Sequence, residues 1–225
     1  MQKGHVMEFT LSRPFFLQSQ NDKLGKEIKY MTDWIKNEIL KLQPYGEQEE
    51  KDRLRLLFLL DLFRGNILTR ENDVAHMTSS AMVFSPAIDK VLMAYHNIYR
   101  SWAWLGGHAD GEENLLQVAK KEVEEESGIV ELIPISGHAV SLEILPVVGH
   151  YKKGQYIGAH LHLNLTYAFW APEEQALTIR PEENSAVGWI PIKELEQRVT
   201  EPDMLPIYRK IIERCRRDFP PIDGI

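Results

Sequence analysis

"GGHADGEENLLQVAKKEVEEESGI", residues 106–129, collects five glutamates and no aspartate between Glu113 and Glu126, then stops at a serine and a glycine. It reads as a helix. Asp110 and Gly111 offer a start, Leu115, Leu116, Val118, Ala119 and Val123 an apolar stripe, and Gly128 the left-handed residue that ends it. On a wheel of about 100° per residue, Glu125 lies ~60° to one side of Glu122 and Glu126 ~40° to the other, with Leu115 at ~20° and Ala119 at ~60°. Glu122, Glu125 and Glu126 therefore share the side that carries the apolar stripe, whereas Gln117, Lys120 and Glu124 mark an ordinary solvated face elsewhere.

That placement is unfavourable for the helix alone. A carboxylate in the last turn faces the negative end of the helix dipole, at about 0.3–1 kcal/mol each. Like charges at i,i+3 or i,i+4 add about 0.2–0.5 kcal/mol per pair. A cation is expected to offset them, and a hard divalent ion such as Mg2+ prefers carboxylate oxygens and keeps waters that a phosphate can displace.

The rest of the 225-residue chain sets the bounds. Its hydrophobic content of 44% suffices for one substantial core with an appendage. A formal net charge of −7 excludes the basic field of a duplex nucleic-acid binder. A polyphosphate substrate stays compatible, because a bound metal reverses the local sign. The run "LLFLL" at 56–60 is too short to span a bilayer, and the N-terminus has no apolar region of signal-peptide length, so a cytoplasmic location is expected. With Cys215 the only cysteine, neither an internal disulfide nor a cysteine-built metal site can form.

Leu24, Ile28, Met31, Ile35, Ile39 and Leu42 recur at helical spacing between Asn21 and Pro44. A second helix is predicted over 47–63, and its "LRLLFLLDLF" is apolar on most sides, which predicts burial. After residue 70 the period changes: "HMTSSAMVF" and "KVLMAYH" read as strands, with further strands within 132–148, at 157–170 and at 186–190. A last helix begins near "TEPDML", where Thr200 and Asp203 have capping-box spacing. The reading is a helical extension over 1–70 and a mixed α/β domain over 71–225. The apolar surface of the extension predicts a homodimer or a cap on the core.

Gly107, five residues, Glu113, seven residues and then "KEVEEESGI" resembles the Nudix box, G-x5-E-x7-R-E-U-x-E-E-x-G-U with U aliphatic. One fixed residue departs, Lys121 standing at the arginine position. The resemblance extends over residues 71–200, where "EENSAVGWIPIKEL" looks like the distal part of such a domain. It implies an α/β/α sandwich around a mixed sheet that binds Mg2+ or Mn2+ and hydrolyses a nucleoside diphosphate linked to another moiety. By motif position it implies Glu122, Glu125 and Glu126 as metal-binding and catalytic carboxylates and the carbonyl of Gly107 as a further ligand. It also implies that Glu113 anchors the loop and pairs with residue 121. Lys121 keeps the charge but lacks the planar fork that holds two carboxylates at once. One carboxylate must take the attacking water's proton; Glu125 is the first choice, and Glu183, in the loop where several family members place a base, the second.

Substrate contacts are read from the strands. In "AHLHLNLTYAF", His160, His162, Asn164 and Thr166 point to one face and the leucines and aromatics to the other. That polar face either lines a cleft, with His108 beside it, or is solvated. Arg100 and Trp102, next to the motif, are the candidates to meet phosphate and nucleobase. The partner expected is a small nucleotide-type molecule, with neither duplex nucleic acid nor membrane. Two rivals remain: a Nudix fold that senses a nucleotide without turning it over, and an isopentenyl diphosphate isomerase, which needs a catalytic cysteine where only Cys215 of the terminal helix is on offer.

Overall fold

The computed structural model describes residues 33–152 and 154–222. Leu24, Ile28 and Met31 of the first predicted helix lie outside these residues. Its later part is helical over 33–41 (α1), where Ile35 and Ile39 are fully buried. Helix α2, Glu47–Leu62, starts with Glu47, Glu49 and Glu50 in its first turn, where the helix dipole favours acids. It lies against an edge strand, which covers one side only. Leu56 and Leu60 are buried, but Leu54, Phe58 and Leu62 are exposed, so the expectation of burial on most sides is corrected.

The next segment builds the sheet with β1 (Ala75–Phe84), β2 (Lys90–His96), β3 (Ser101–Ala103) and β4 (Leu105–His108). Beyond helix α3 (Leu115–Ser127) come β5 (Ile133–Pro134) and β6 (Ser141–Val147). A small separate hairpin, β7 (His150–Lys152) and β8 (Gln155–Ile157), leads into β9 (His160–Trp170), and β10 (Asn184–Pro191) completes the set. A 3-10 turn, Ile192–Glu194, then α4 (Leu195–Arg198) and α5 (Met204–Asp218) close the described chain. The main sheet has eight strands in the order β10-β2-β1-β9-β5, with β3 on β2, β4 on β1 and β6 on β9. Its centre is the parallel pair β1–β9, in register from Ala75 opposite Leu161 to Phe84 opposite Trp170. All ten residues of β1 are buried, as expected of a strand covered on both faces.

Alternation sorts the core into an α/β/α sandwich. Met77, Ala81, Val83, Leu163, Leu165 and Tyr167 pack with α1, α2 and the apolar stripe of α3. Met82, Phe84, Ala168 and Trp170 pack beneath Tyr208, Ile211, Ile212 and Cys215 of α5. Among the described residues no helix is long and apolar enough to cross a membrane.

Two caps differ from the sequence reading. Helix α3 begins at Asn114, whose side chain accepts from the Gln117 amide, rather than at Asp110. Asp110 and Gly111 have φ values of 46° and 91°, so they form a tight left-handed turn that cannot enter a helix, and Asp110 pairs with Arg70 on both guanidinium arms. The capping box of α5 does not form: Thr200 Oγ1 donates to the Arg100 carbonyl, and Asp203 makes no side-chain cap.

The extension is fastened by buried charge. Glu49 of α2 accepts from Arg214 Nη2 at 2.7 Å and from Lys210 Nζ at 2.9 Å, and Lys210 also reaches Glu143 of β6 at 2.8 Å. Burial alone would raise the Glu49 carboxyl, but the Arg214 hydrogen bond and the Lys210 charge outweigh it and bring it down to about 2. Because the folded pKa lies below the unfolded one, this stabilisation is present above the ordinary carboxylate range and disappears as pH falls toward 2. Arg214→Met leaves buried Glu49 with Lys210 as its one remaining ion partner, and is expected to cost about 3 kcal/mol in chemical denaturation, whereas the double variant Glu49→Met/Arg214→Met should recover most of it. Equal losses in the single and double variants would show that the pair does not fasten α2 to α5.

Candidate active site

The site begins where α3 meets β4. A Cβ on Gly106 would lie 2.7 Å from the Ser79 carbonyl of β1, and one on Gly107 would lie 2.3 Å from Glu122 Oε1. Only glycines let the helix come this close to the strand. The Ser79 hydroxyl ties the start of the helix by donating to the Leu115 carbonyl at 2.6 Å. At the other end, Glu126 Oε1 accepts from the Gly106 amide at 2.9 Å, and Asn184 Nδ2 of β10 donates to the Glu126 carbonyl at 3.1 Å. Gly128, φ 78°, ends the helix as the sequence predicts.

Glu122, Glu126 and Glu183 are thereby brought together, with one oxygen from each lying within 4.8 Å of the others. Glu126 is 4% exposed. Burial, added to the charges of Glu125 and Glu183, pushes the Glu122 carboxyl up to about 7. Burial pushes Glu126 up to about 8, the Gly106 hydrogen bond only partly opposing it while Glu122 and Glu183 add to it. Both folded pKa values lie above the unfolded ones. Their contribution to stability is thus fully present below the ordinary carboxylate range and is lost as pH rises through 7 and 8. Even with Arg180 nearby, Glu122 and Glu126 resist ionising.

Glu125 is held differently. It sits half-exposed at the rim, 3.0 Å from Arg180 Nη1 and 3.3 Å from Lys121 Nζ. The Arg180 guanidinium also lies 3.4 Å from Glu183 and 4.0 Å from Glu122, a residue that the sequence reading missed. Its one legible signal was the i,i+3 spacing to Glu183. Among the described residues Glu113 forms no ion pair with Lys121, which corrects that expectation. Glu113 is exposed before the helix begins, and Lys121 is drawn to Glu125 one turn ahead of it.

A second group of side chains comes from the sheet. His76 of β1 stands in register with His162 of β9, and His108 of β4 is opposite Thr78. The rings of His76, His108, His160 and His162 lie 4.9–5.2 Å apart in five pairings. Burial, reinforced by His108, His76 and His160, brings the His162 imidazole down to about 3 and keeps it neutral. His76 went unremarked in the sequence because "AHMTSS" carries no spacing signal of its own. Further along the same face Asn164 accepts from Thr78 and Ser80 and donates to Glu143 and Thr166, a fully buried polar array.

One broad cleft is lined by both groups, by Arg180 and by Trp104 and Tyr99. Arg100 and Trp102 are not among its lining residues. Arg100 occupies a turn with φ 52° and an exposed side chain, and Trp102 packs edge-on against Tyr95, with ring centroids 5.9 Å apart. Trp104, in the break between β3 and β4, packs edge-on against Tyr208 of α5, with ring centroids 5.3 Å apart, and lines the cleft.

A family model described as "NUDIX domain" matches residues 74–215. Among solved structures, the Caenorhabditis elegans Ap4A hydrolase is similar at 15% identity, over 63% of this chain and 98% of that one, with a TM-score of 0.47. The NUDIX domain of Shewanella oneidensis NrtR, solved with ADP ribose, matches at 19% identity over 63% and 86%, TM-score 0.43. The E. coli dihydroneopterin triphosphate pyrophosphohydrolase matches at 18% over 61% and 92%, TM-score 0.44. No curated protein matches the sequence.

The two glycines make separable predictions. Gly106→Ala meets backbone that cannot move alone and should cost about 1–3 kcal/mol. Gly107→Ala meets only the flexible end of Glu122, so it should fold with less than about 1 kcal/mol of loss while expelling that carboxylate, whose pKa falls back toward the ordinary range. Thermal unfolding and a carboxyl NMR titration check both; the reverse order of stabilities, or an unmoved Glu122 titration, would contradict the close approach.

Proposed function

Because this chain belongs to the Nudix family, we propose that it hydrolyses a phosphoanhydride bond in a nucleoside diphosphate linked to another moiety, using Mg2+ or Mn2+. The observation that supports this reading best is the convergence of Glu122, Glu126 and Glu183 beside Gly107. All three donors are carboxylates, the hard oxygen ligands that such an ion takes, and the raised pKa values of Glu122 and Glu126 mark a place where positive charge is wanted. In this reading Glu122, Glu126 and Glu183 hold the ion with the Gly107 carbonyl. When bound, the ion withdraws charge from bridging phosphate oxygens and lowers the pKa of a water.

The remaining work falls to the chain. Glu125, outside the cluster of three and steadied by Arg180 and Lys121, accepts the proton of the attacking water. Arg180 is a planar donor for phosphate oxygens once an ion takes over its carboxylates. Trp104 and Tyr99, rather than Trp102 and Arg100, offer the cleft's aromatic faces to a nucleobase. In this reading the hydrolase domain is residues 71–225 and the extension residues 1–70, whose helix α2 lies against β6.

One observation favours a second reading. Arg180 already supplies a cation to Glu122, Glu125 and Glu183, as a nucleotide-sensing module without turnover would require. A phosphate-release screen over ADP-ribose, sugar nucleotides, dinucleoside polyphosphates and nucleoside triphosphates separates the two. Hydrolysis of at least one is expected. Glu125→Gln should slow it by roughly a hundredfold or more yet keep the Mg2+-dependent rise in melting temperature, and Glu126→Gln should lose both. Inactivity across the panel with tight binding of one nucleotide would replace the hydrolase by the sensor.

A further inference from the structure

We propose that His76, His108, His160 and His162 form a second metal site, taking a borderline divalent transition ion such as Zn2+ through ligands that the carboxylate site does not share. Four observations lead there.

The first is convergence. One nitrogen each from His76, His108 and His162 lies within 4.8 Å of the others, and His160 Nε2 is 3.2 Å from His162 Nε2. A tetrahedral set with metal–nitrogen bonds of ~2.0–2.1 Å places neighbouring nitrogens about 3.4 Å apart. The His160–His162 pair already has that spacing, and the nitrogens of His76, His108 and His162 need close by no more than about 1.4 Å, within reach of modest ring rotations.

The second is the tautomer. His76 Nδ1 lies 2.9 Å from the Asn72 carbonyl, and His160 Nδ1 lies 2.9 Å from the Gly158 carbonyl. A carbonyl oxygen only accepts, so Nδ1 carries the hydrogen in both rings and Nε2 presents a lone pair. A backbone carbonyl behind the ring is the usual outer partner of a metal-bound histidine.

The third is an orphan atom. His76 is 4% exposed, and its Nε2 is buried with no hydrogen-bond partner. A buried acceptor left unmade is costly, and a metal ion in the cluster removes the cost.

The fourth is donor type. Imidazoles without carboxylate or thiolate select zinc, nickel, cobalt or copper over magnesium. Direct capture of a phosphate by the same rings would need them charged, and rings 4.9–5.2 Å apart repel one another when charged. The ligands stand on β1, β4 and β9, so the ion joins three strands at the floor of the cleft. Ligation by four nitrogens makes the site closed and structural; ligation by three leaves a position for water or a substrate oxygen.

This inference does not depend on the hydrolase reading, and its test uses metal binding alone. The full chain, freed of metal by a chelator, is titrated with Co2+ while the visible absorption of tetrahedral cobalt is followed. One equivalent should give the band, be displaced by Zn2+, and be unaffected by Glu126→Gln. Both His76→Gln and the partly exposed His160→Gln, each checked for native circular dichroism, should weaken binding by about tenfold or more. No band in the wild type, unchanged affinity in a folded histidine variant, or loss of the site in Glu126→Gln would each overturn the assignment.

Discussion

The contact between the Glu122 side chain and the Cβ-less backbone of Gly107 is the constraint from which the site follows. With a methyl group there, the Glu122 carboxylate would be expelled from its place against β4. With none, Glu122 and Glu126 are pressed onto the strand, and the Gly106 amide takes one oxygen of Glu126. The same geometry places both carboxylates in the last two turns of the helix, where its dipole and their mutual repulsion oppose ionisation. Protonation or a cation is the only relief, which is why two buried glutamates have carboxyls pushed up to about 7 and about 8. The packing of one helix on one strand and the chemistry of the site are a single arrangement.

Much of this was legible in the sequence, because periodicity reports which face is buried. The wheel put Glu122 and Glu126 on the apolar side of α3, Gly128 ended the helix as expected, and β1, β2 and β9 follow their alternation. What escaped depends on distant residues or on backbone conformation. Arg180 enters the carboxylate group from a loop more than fifty residues away along the chain, and no local pattern announces that. Asp110 looked like a helix start until its positive φ placed it in a turn. Lys121 chose Glu125, one turn away on its own helix, over Glu113, because an i,i+4 partner needs no loop to be positioned. Trp102 and Trp104 are two residues apart, which alternation alone would put on one face; only Trp104, in the break between β3 and β4, lines the cleft, and no sequence pattern marks that break.

The sheet's other polar asset is its nitrogen-rich floor. Parallel pairing of β1 and β9 sets His76 beside His162, and β4 adds His108 from the residue next to Gly107. Oxygen donors therefore gather at the helix end and nitrogen donors on the strands, two ligand sets of different hardness along one cleft. The frame that holds them is stiffened from outside by the buried Glu49–Arg214–Lys210–Glu143 network, which ties α2, α5 and β6 together.

The central claim is that Glu122 and Glu126 exchange protons for a divalent cation. Calorimetric titration of the metal-free protein with Mg2+, repeated in buffers of different ionisation enthalpy, counts the protons released on binding. Release should be large near pH 6.5, where both carboxyls hold protons, and should vanish well above pH 8, where neither does. A binding heat that is independent of buffer at pH 6.5 would mean that the glutamates were ionised before the metal arrived, and would contradict the account.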